Sequence, residues 1–407
     1  MMIRRTLPPT VAPIHCRDIA NGLRGILRGG REVDRFEKEL REYFDIRHSF
    51  TLSSGRAALT VILRALHTLH PERSVVIIPA YTCYSVAASI VRAGLSIRLC
   101  DIDDKTLDLD YAQLEDSIAR DSPKILAIIP THLFGLPADT GRVKKMVSGH
   151  DIFIVEDAAQ AFGGSDGKDK LGTAGDVGFF SLGRGKPITA VGGGIVMSNR
   201  GDIAAGVEDQ IKGIKRCSFA GTALLIFKAL LLSVFVNPRL YWFPKSLSFL
   251  RLGETRYDKG FHIRRLTSFQ AGLMRGWQRR IEHLKQARRE RALRFLSMGS
   301  SNRLRSYVSG EDDLPDLLRF PLFIRDEGFR KDQRYRGEMD RLGIVPYYPD
   351  SIKDIGDLQG NFTGQQYPDA DRVAVHLVTL PIHPLVSEVD MDEIVRLLKG
   401  GCDHHES

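Results

Sequence analysis

Between residues 50 and 200 the chain alternates short continuous apolar runs with stretches of helical period, and few folds accept that alternation. The runs are VVIIP (75–79), SIRLCDID (96–103), ILAIIP (125–130), IFIVED (152–157), VGFFS (177–181) and GIVMSN (194–199). Most lack the every-other-residue polarity of a half-exposed strand, so they predict strands covered on both faces, as in a parallel sheet. Between them Ala58, Leu59, Ile62, Ala65, Leu66 and Leu69 fall on one helical face. Val86, Ile90 and Ala93 mark a second helix, and Leu114 and Ile118 a third. Strands alternating with helices predict an α/β domain whose ligand site lies at the carboxyl ends of the strands.

Other regions differ in character. Residues 13–45 carry a helical pattern ending in FEKELREYF, read as an N-terminal arm. Residues 275–294, RGWQRRIEHLKQARRERALR, read as a long basic helix, and a smaller α+β unit follows from about 317 to 400. The expected division is 1–250 for the arm and large domain, and 251–407 for the basic helix and small domain. Residues 222–236, TALLIFKALLLSVFV, are almost wholly apolar. As a helix they reach about 22 Å, short of the roughly 30 Å hydrocarbon layer, and Lys228 interrupts them, which argues against a membrane span. A buried or subunit-interface helix is one reading. A weak membrane-surface contact through 222–245, strengthened by Arg239, Tyr241, Trp242 and Lys245, is another.

At 407 residues, 43% apolar and 27% charged, the chain can bury its own core and is neither disordered nor a polytopic membrane protein. Its net charge of +8 favours anionic partners. No nucleic-acid motif accompanies the basic helix, so a solvated face or a substrate-phosphate rim is expected there, and no nucleic-acid partner. The five cysteines, Cys16, Cys83, Cys100, Cys217 and Cys402, form no CxxC pair. This predicts a reducing, cytoplasmic setting with no structural metal. The N-terminus lacks the apolar core of a secretory signal. Cys402, His404 and His405 read as a frayed tail.

Four segments carry candidate chemistry. SSGRAAL (53–59) places small residues and a glycine where a strand gives way to a helix, which reads either as an anion site at the helix N-terminus or as a simple serine cap. IFIVEDAAQA sets Glu156 and Asp157 side by side at a buried strand end, where one of them needs a cationic partner or caps the next helix. FFSLGRGKPITAVGGG holds Lys186 in a glycine-rich loop. Glycines there let a ligand approach closely, and withdrawal from water favours a neutral, nucleophilic amine. PTHLFGLPAD offers His132, a base or a satisfied polar group.

These segments, with PAYTCYSVAASIVRAGLSIRLCDID, RRLTSFQAGL and YPDADRVAVHLVTLPIHP in the same order, resemble the DegT/DnrJ/EryC1/StrS family of pyridoxal phosphate-dependent sugar aminotransferases from about Pro13 to Leu398. The resemblance implies an aspartate-aminotransferase-like fold (PLP fold type I), with a mostly parallel sheet in the large domain and a smaller C-terminal α+β domain. It implies pyridoxal 5'-phosphate as cofactor, carried on Lys186, which then shuttles the substrate proton. Asp157 matches the carboxylate paired with the ring nitrogen, Gln160 the group near the ring 3-hydroxyl, and Ser181 the phosphate-binding serine. Gly55 with Arg56 matches the phosphate-cradling turn, although relatives often have Thr in place of Arg56. Cys83, followed by Tyr84, stands where relatives stack an aromatic ring, and Gly192 replaces a usual acid. Relatives supply an Asn from the neighbouring subunit at a segment reading GFHIRRL here, so His262 or Arg264 would substitute. The implied partners are an amino-acid donor, glutamate, and a nucleotide-linked keto sugar, in a homodimer with shared sites serving polysaccharide or glycoconjugate biosynthesis. Lysine at 186 also sets the chain apart from the family's dehydratase branch, which has histidine there. The alternative is a non-catalytic protein of this fold acting in regulation or in membrane or nucleic-acid binding.

Overall fold

Seven strands build the main sheet: β1 (His48–Leu52), β2 (Val75–Pro79), β3 (Ser96–Cys100), β4 (Ile125–Ile128), β5 (Phe153–Asp157), β8 (Val177–Ser181) and β9 (Gly194–Ser198). A two-stranded ribbon, β6 (Ser165–Asp166) and β7 (Asp169–Lys170), lies between β5 and β8 in the chain. The computed structural model describes residues 5–167, 169–247, 256–299, 303–326 and 333–400. The sheet order is β1-β9-β8-β5-β4-β2-β3. Strands β3, β2, β4, β5 and β8 pair in parallel, whereas β9 runs antiparallel to both of its neighbours. Each parallel step is bridged by a longer excursion. The segment from β8 to β9 contains no helix to carry the chain back across the sheet, so it returns as a hairpin. Lys186 sits in that return.

The two faces of the sheet take alternate residues. Val76 and Ile78 pack under the helix Gly55–Leu69, while Ile77, Ile128 and Ile154 face Leu114, Ile118 and Val143. The helix Gly55–Leu69 is buried along most of its length, is rich in Ala and Leu, and is capped by Ser54, whose Oγ accepts from the Ala57 N–H at 3.1 Å.

The expected arm forms two helices, Cys16–Arg28 and Gly30–Phe44. Phe36 and Phe44 join Phe162, Phe180, Trp277 and Ile281 in a second core. Gly22 and Gly25 let the first of these helices lie directly on the helix Ser268–Leu273. A Cβ on Gly25 would come within 2.4 Å of the Ser268 carbonyl oxygen, and one on Gly272 within 2.5 Å of that of Asn21.

The smaller unit is an antiparallel sheet, β10 (Leu304–Ser306), β11 (Phe320–Ile324) and β12 (Leu377–Leu380), backed by the helices Pro368–His376 and Glu388–Gly400. The helix Trp277–Leu296 connects the two units: Trp277 and Ile281 enter the core shared with the arm, and Phe295 packs on Phe320. Its charge works differently from the sequence expectation of a solvated face or phosphate rim. Arg288 donates to the Pro187 carbonyl (2.7 Å), Arg289 to Leu314 (2.9 Å) and Arg291 to Val386 (2.9 Å), while Lys285 pairs with Asp316 (3.0 Å). Most of these cations point inward because the helix is sandwiched between two units whose loop carbonyls need donors.

The apolar segment also needs correction. The helix Phe219–Phe235 covers Ile14, Ile19, Phe269 and Leu273 with Leu225, Ile226 and Leu232, but Ala229 is its one fully buried residue. Its other face is open, so within one chain it is not a buried helix. No described helix is long and apolar enough to cross a membrane. The expected boundary at 250/251 and the tail residues Cys402, His404 and His405 lie outside the described residues.

Candidate active site

Strands β5 and β8, with the turn after β1, end at the rim of one open cavity of about 1560 Å³. Neighbouring residues on a strand point to opposite sides, and this separates the two acids at the end of β5. Asp157 lines the cavity, its Oδ1 accepting from the Ala159 N–H at 3.0 Å. Burial pushes its carboxyl above the ordinary value, and the Ala159 N–H, the Lys186 charge and His132 offset only part of that rise. Such a carboxylate gains most from a cationic group placed beside it.

Glu156 faces the other way and is fully satisfied. It accepts from His132 Nε2 (2.9 Å) and from the backbone N–H groups of Gly172 (3.1 Å) and Gly175 (2.6 Å). Burial works to raise its pKa, but these donors outweigh it and hold the carboxyl below the ordinary range. His132 is committed as well: its Nδ1 accepts from the Ala138 N–H at 3.0 Å, so Nε2 carries the proton given to Glu156. Of the two readings of His132, the satisfied polar group is the one found. Neither Glu156 nor His132 lines the cavity.

Lys186 lines the cavity together with Asp157, and Pro187 next to it is held by Arg288. The far end of its loop is fixed by Gln270, whose Nε2 donates to the Gly192 carbonyl at 2.8 Å. Ser181 ends β8 against the turn after β1, where a Cβ on Gly55 would stand 3.0 Å from the Ser181 Cβ. Gly55, as the first residue of a 15-residue helix, brings free backbone N–H groups and the positive end of the helix dipole to the cavity wall. Arg56 also lines the cavity, but its guanidinium pairs with Asp258 (3.1 Å) and lies over the Phe261 ring.

Gln160 reaches the cavity from the segment after β5. Its Oε1 accepts from the Phe134 N–H (3.3 Å) and its Nε2 donates to the Tyr348 hydroxyl (2.9 Å). Cys83, the N-cap of the helix Tyr84–Ala93, lines the cavity, but Tyr84 does not. Consecutive helical residues diverge by about 100°. Tyr84 therefore turns to the small unit, its hydroxyl donating to the Asp350 carbonyl (3.0 Å) and accepting from the Asp350 N–H (3.1 Å). The GFHIRRL segment lies beside its own chain's SSGRAAL turn, the Arg264 N–H donating to Ser53 Oγ at 3.1 Å. His262 and Arg264 do not line this chain's cavity, whereas Arg256, Tyr257 and Asp258 do.

Residues that sequence reasoning missed come from far along the chain. Thr10 arrives from the segment ahead of the arm, and Arg319, Tyr347 and Tyr348 from the small unit. Arg319 is fully buried, its Nη2 donating to the carbonyls of Gly343 (3.2 Å) and Thr379 (3.1 Å). Burial pushes that guanidinium down to about 10. The one signal for this group is the doubled aromatic in VPYYP, which has no chemical meaning without the fold.

A cavity holding an amine, a buried carboxylate and a helix N-terminus can bind an anionic group at one end, neutralise a cation at the other and present a nucleophile between them. Comparison with known proteins gives this arrangement a family. A model of the DegT/DnrJ/EryC1/StrS aminotransferase family matches residues 16–399. GDP-perosamine synthase of Caulobacter vibrioides is 34% identical over 176 residues, which are 43% of this chain and 46% of that protein. The chain thus spans about half the length of the perosamine synthases it matches. The spore coat polysaccharide biosynthesis protein SpsC of Bacillus subtilis is 24% identical over 395 residues, covering 92% of this chain and 90% of that one. Among solved structures, Helicobacter pylori PseC, an aminotransferase involved in the biosynthesis of pseudoaminic acid, superimposes with a TM-score of 0.77 at 17% identity, over 97% of this chain and 99% of the other. The shared architecture is the mostly parallel α/β sheet with its smaller C-terminal unit, consistent with PLP fold type I. With the family model matched from Cys16 to Lys399, the chain belongs to the DegT/DnrJ/EryC1/StrS aminotransferase family.

Proposed function

We propose that the protein is a pyridoxal 5'-phosphate-dependent transaminase that moves an amino group from an amino acid, glutamate, to the keto group of a nucleotide-linked sugar. The observation that carries this reading is the meeting of Lys186, Asp157 and the Gly55–Ser181 contact in one cavity. The residues fit the cofactor. The start of the helix at Gly55, with Ser181, suits a phosphate. The buried Asp157 carboxylate, which accepts from the Ala159 N–H, suits a protonated ring nitrogen, and the Lys186 amine suits an aldehyde. When bound, that group stores the amino group and delocalises the electron pair left on a carbon that loses its proton.

The chain's own residues supply the rest. Lys186 anchors the cofactor through its Nζ and afterwards takes and returns the substrate proton. Asp157 holds the proton on the ring nitrogen, and its burial strengthens that pairing. Gln160, fixed at both ends of its amide, would contact the ring, and Ser181 and Gly55 would hold the phosphate. A large open cavity and a net charge of +8 suit an acceptor bearing a diphosphate. The names of the relatives, a GDP-perosamine synthase and a polysaccharide biosynthesis protein, support that acceptor class. A homodimer, with Arg264 or His262 serving the neighbour's site, completes the proposal.

The test is the visible spectrum of the purified protein before and after glutamate, followed by borohydride trapping and peptide mapping. The expected result is a spectral shift on adding glutamate and a label on Lys186. A colourless protein that takes up no cofactor favours a non-catalytic role, and a label on another amine removes Lys186 from the mechanism.

A further inference from the structure

The outer face of the helix Phe219–Phe235 is apolar where a surface helix is ordinarily polar. Phe219, Leu224, Phe227, Leu230 and Val234 are exposed, Phe219 to 91%, and Trp242 continues the ridge beyond the helix. A contiguous apolar patch of this kind on a folded chain marks a place where something docks.

Charge identifies the occupant. From Gln210 to Leu247 the chain has no Asp or Glu, yet it has Lys212, Lys215, Arg216, Lys228, Arg239 and Lys245. Lys212 pairs with Asp209 and Lys245 with Asp340. Among the described residues no carboxylate pairs with Lys215, Arg216, Lys228 or Arg239. An exposed apolar ridge with unpaired cations around it and a tryptophan at its edge matches the boundary between headgroups and acyl chains in an anionic bilayer. The long stem of Lys228 lets its ammonium reach headgroups while the ridge beneath it is buried in lipid. A second copy of the chain fits less well, because a two-fold axis through the ridge would bring these same cations face to face.

We propose that this ridge docks the protein on an anionic membrane surface with the mouth of the Lys186 cavity turned toward the bilayer. The orientation follows from shared residues: Leu224 and Phe227 belong both to the ridge and to the cavity wall. Docking of this kind is independent of the reaction catalysed.

The chain carries its own probe. It has two tryptophans, and Trp277 is fully buried, so a change in emission on adding vesicles reports Trp242. The full chain should sediment with vesicles of phosphatidylcholine and phosphatidylglycerol, with blue-shifted emission, and should leave them as salt rises. Arg239→Glu should weaken vesicle binding about thirtyfold. Leu230→Glu combined with Val234→Glu, neither of which lines the cavity, should abolish binding without changing the sedimentation coefficient of the free protein. The proposal is overturned by no binding to anionic vesicles, by equal binding to pure phosphatidylcholine, or by binding that survives the double substitution. If the double variant instead lowers the oligomeric mass, the ridge is an interface between copies and the proposal again fails. Should that variant not fold, Lys215→Glu combined with Arg239→Glu, at two exposed loop positions, decides by the same criteria.

Discussion

At the residue scale the adjacent acids of β5 carry different tasks because a strand turns them to opposite sides. Asp157→Asn keeps an oxygen for the Ala159 N–H, so the fold and cofactor uptake should persist, while a neutral amide cannot hold a proton on a ring nitrogen. Turnover should fall about 10²-fold or more, with cofactor absorbance retained. Normal turnover would mean that another group does this work. Glu156→Gln tests the opposite role. It replaces an acceptor of four donors, His132, Thr140, Gly172 and Gly175, with an amide that also carries N–H groups, and should cost about 2–3 kcal/mol at neutral pH, read from urea unfolding. Because the folded-state pKa of Glu156 lies below its ordinary value, its contribution is fully present above about pH 4.5 and is lost as the pH falls through the folded value. The gap between wild type and variant should therefore narrow in acid.

At the scale of elements, the helix Ser268–Leu273 works as a clamp. One side lies on the arm through Gly22 and Gly272, and its Gln270 holds the carbonyl of Gly192 in the Lys186 loop. Gly272→Ala puts a methyl group where Asn21 and Gly22 backbone atoms already stand. It should destabilise the protein by about 1–3 kcal/mol and speed amide exchange between residues 182 and 193. Unchanged exchange in that loop would show that the clamp does not reach it. The strands and their helices were legible at this scale from periodicity alone, because the apolar period reports which faces are covered. The clamp was not legible: its glycines matter for what approaches them, some 250 residues away in the chain.

At the scale of the whole molecule, the two units meet through buried polar contacts. His383 Nε2 donates to the Pro8 carbonyl at 2.8 Å, tying the small unit to the segment ahead of the arm. Burial, reinforced by the nearby charges of Arg288, Arg319 and Arg291, pushes His383 down to about 3. The unfolded chain therefore binds a proton below about pH 6.5 that the folded one refuses, so stability should fall by up to about 1.4 kcal/mol per pH unit between pH 6.5 and 3. His383→Gln, which keeps an N–H donor and cannot titrate, should flatten that slope by one proton. An unaltered slope would assign the acid sensitivity elsewhere.

By itself the sequence determined the alternation of strand and helix, the placing of Ser181 and Asp157 at strand ends, Gly55 at a helix start and Lys186 in a glycine-rich loop, and the family motifs that join them. These depend on near neighbours, through period, capping and turn chemistry, and so can be read along the chain. Only the tertiary structure decided that Glu156 turns to His132, that Tyr348 meets Gln160 across 188 positions, and that Tyr84 turns away. It also decided that several cations of the basic helix meet carbonyls and carboxylates of the two units, while the most apolar helix leaves one face open. A side chain's task is set by the groups packed around it, and packing brings together residues whose separation along the chain carries no local signal.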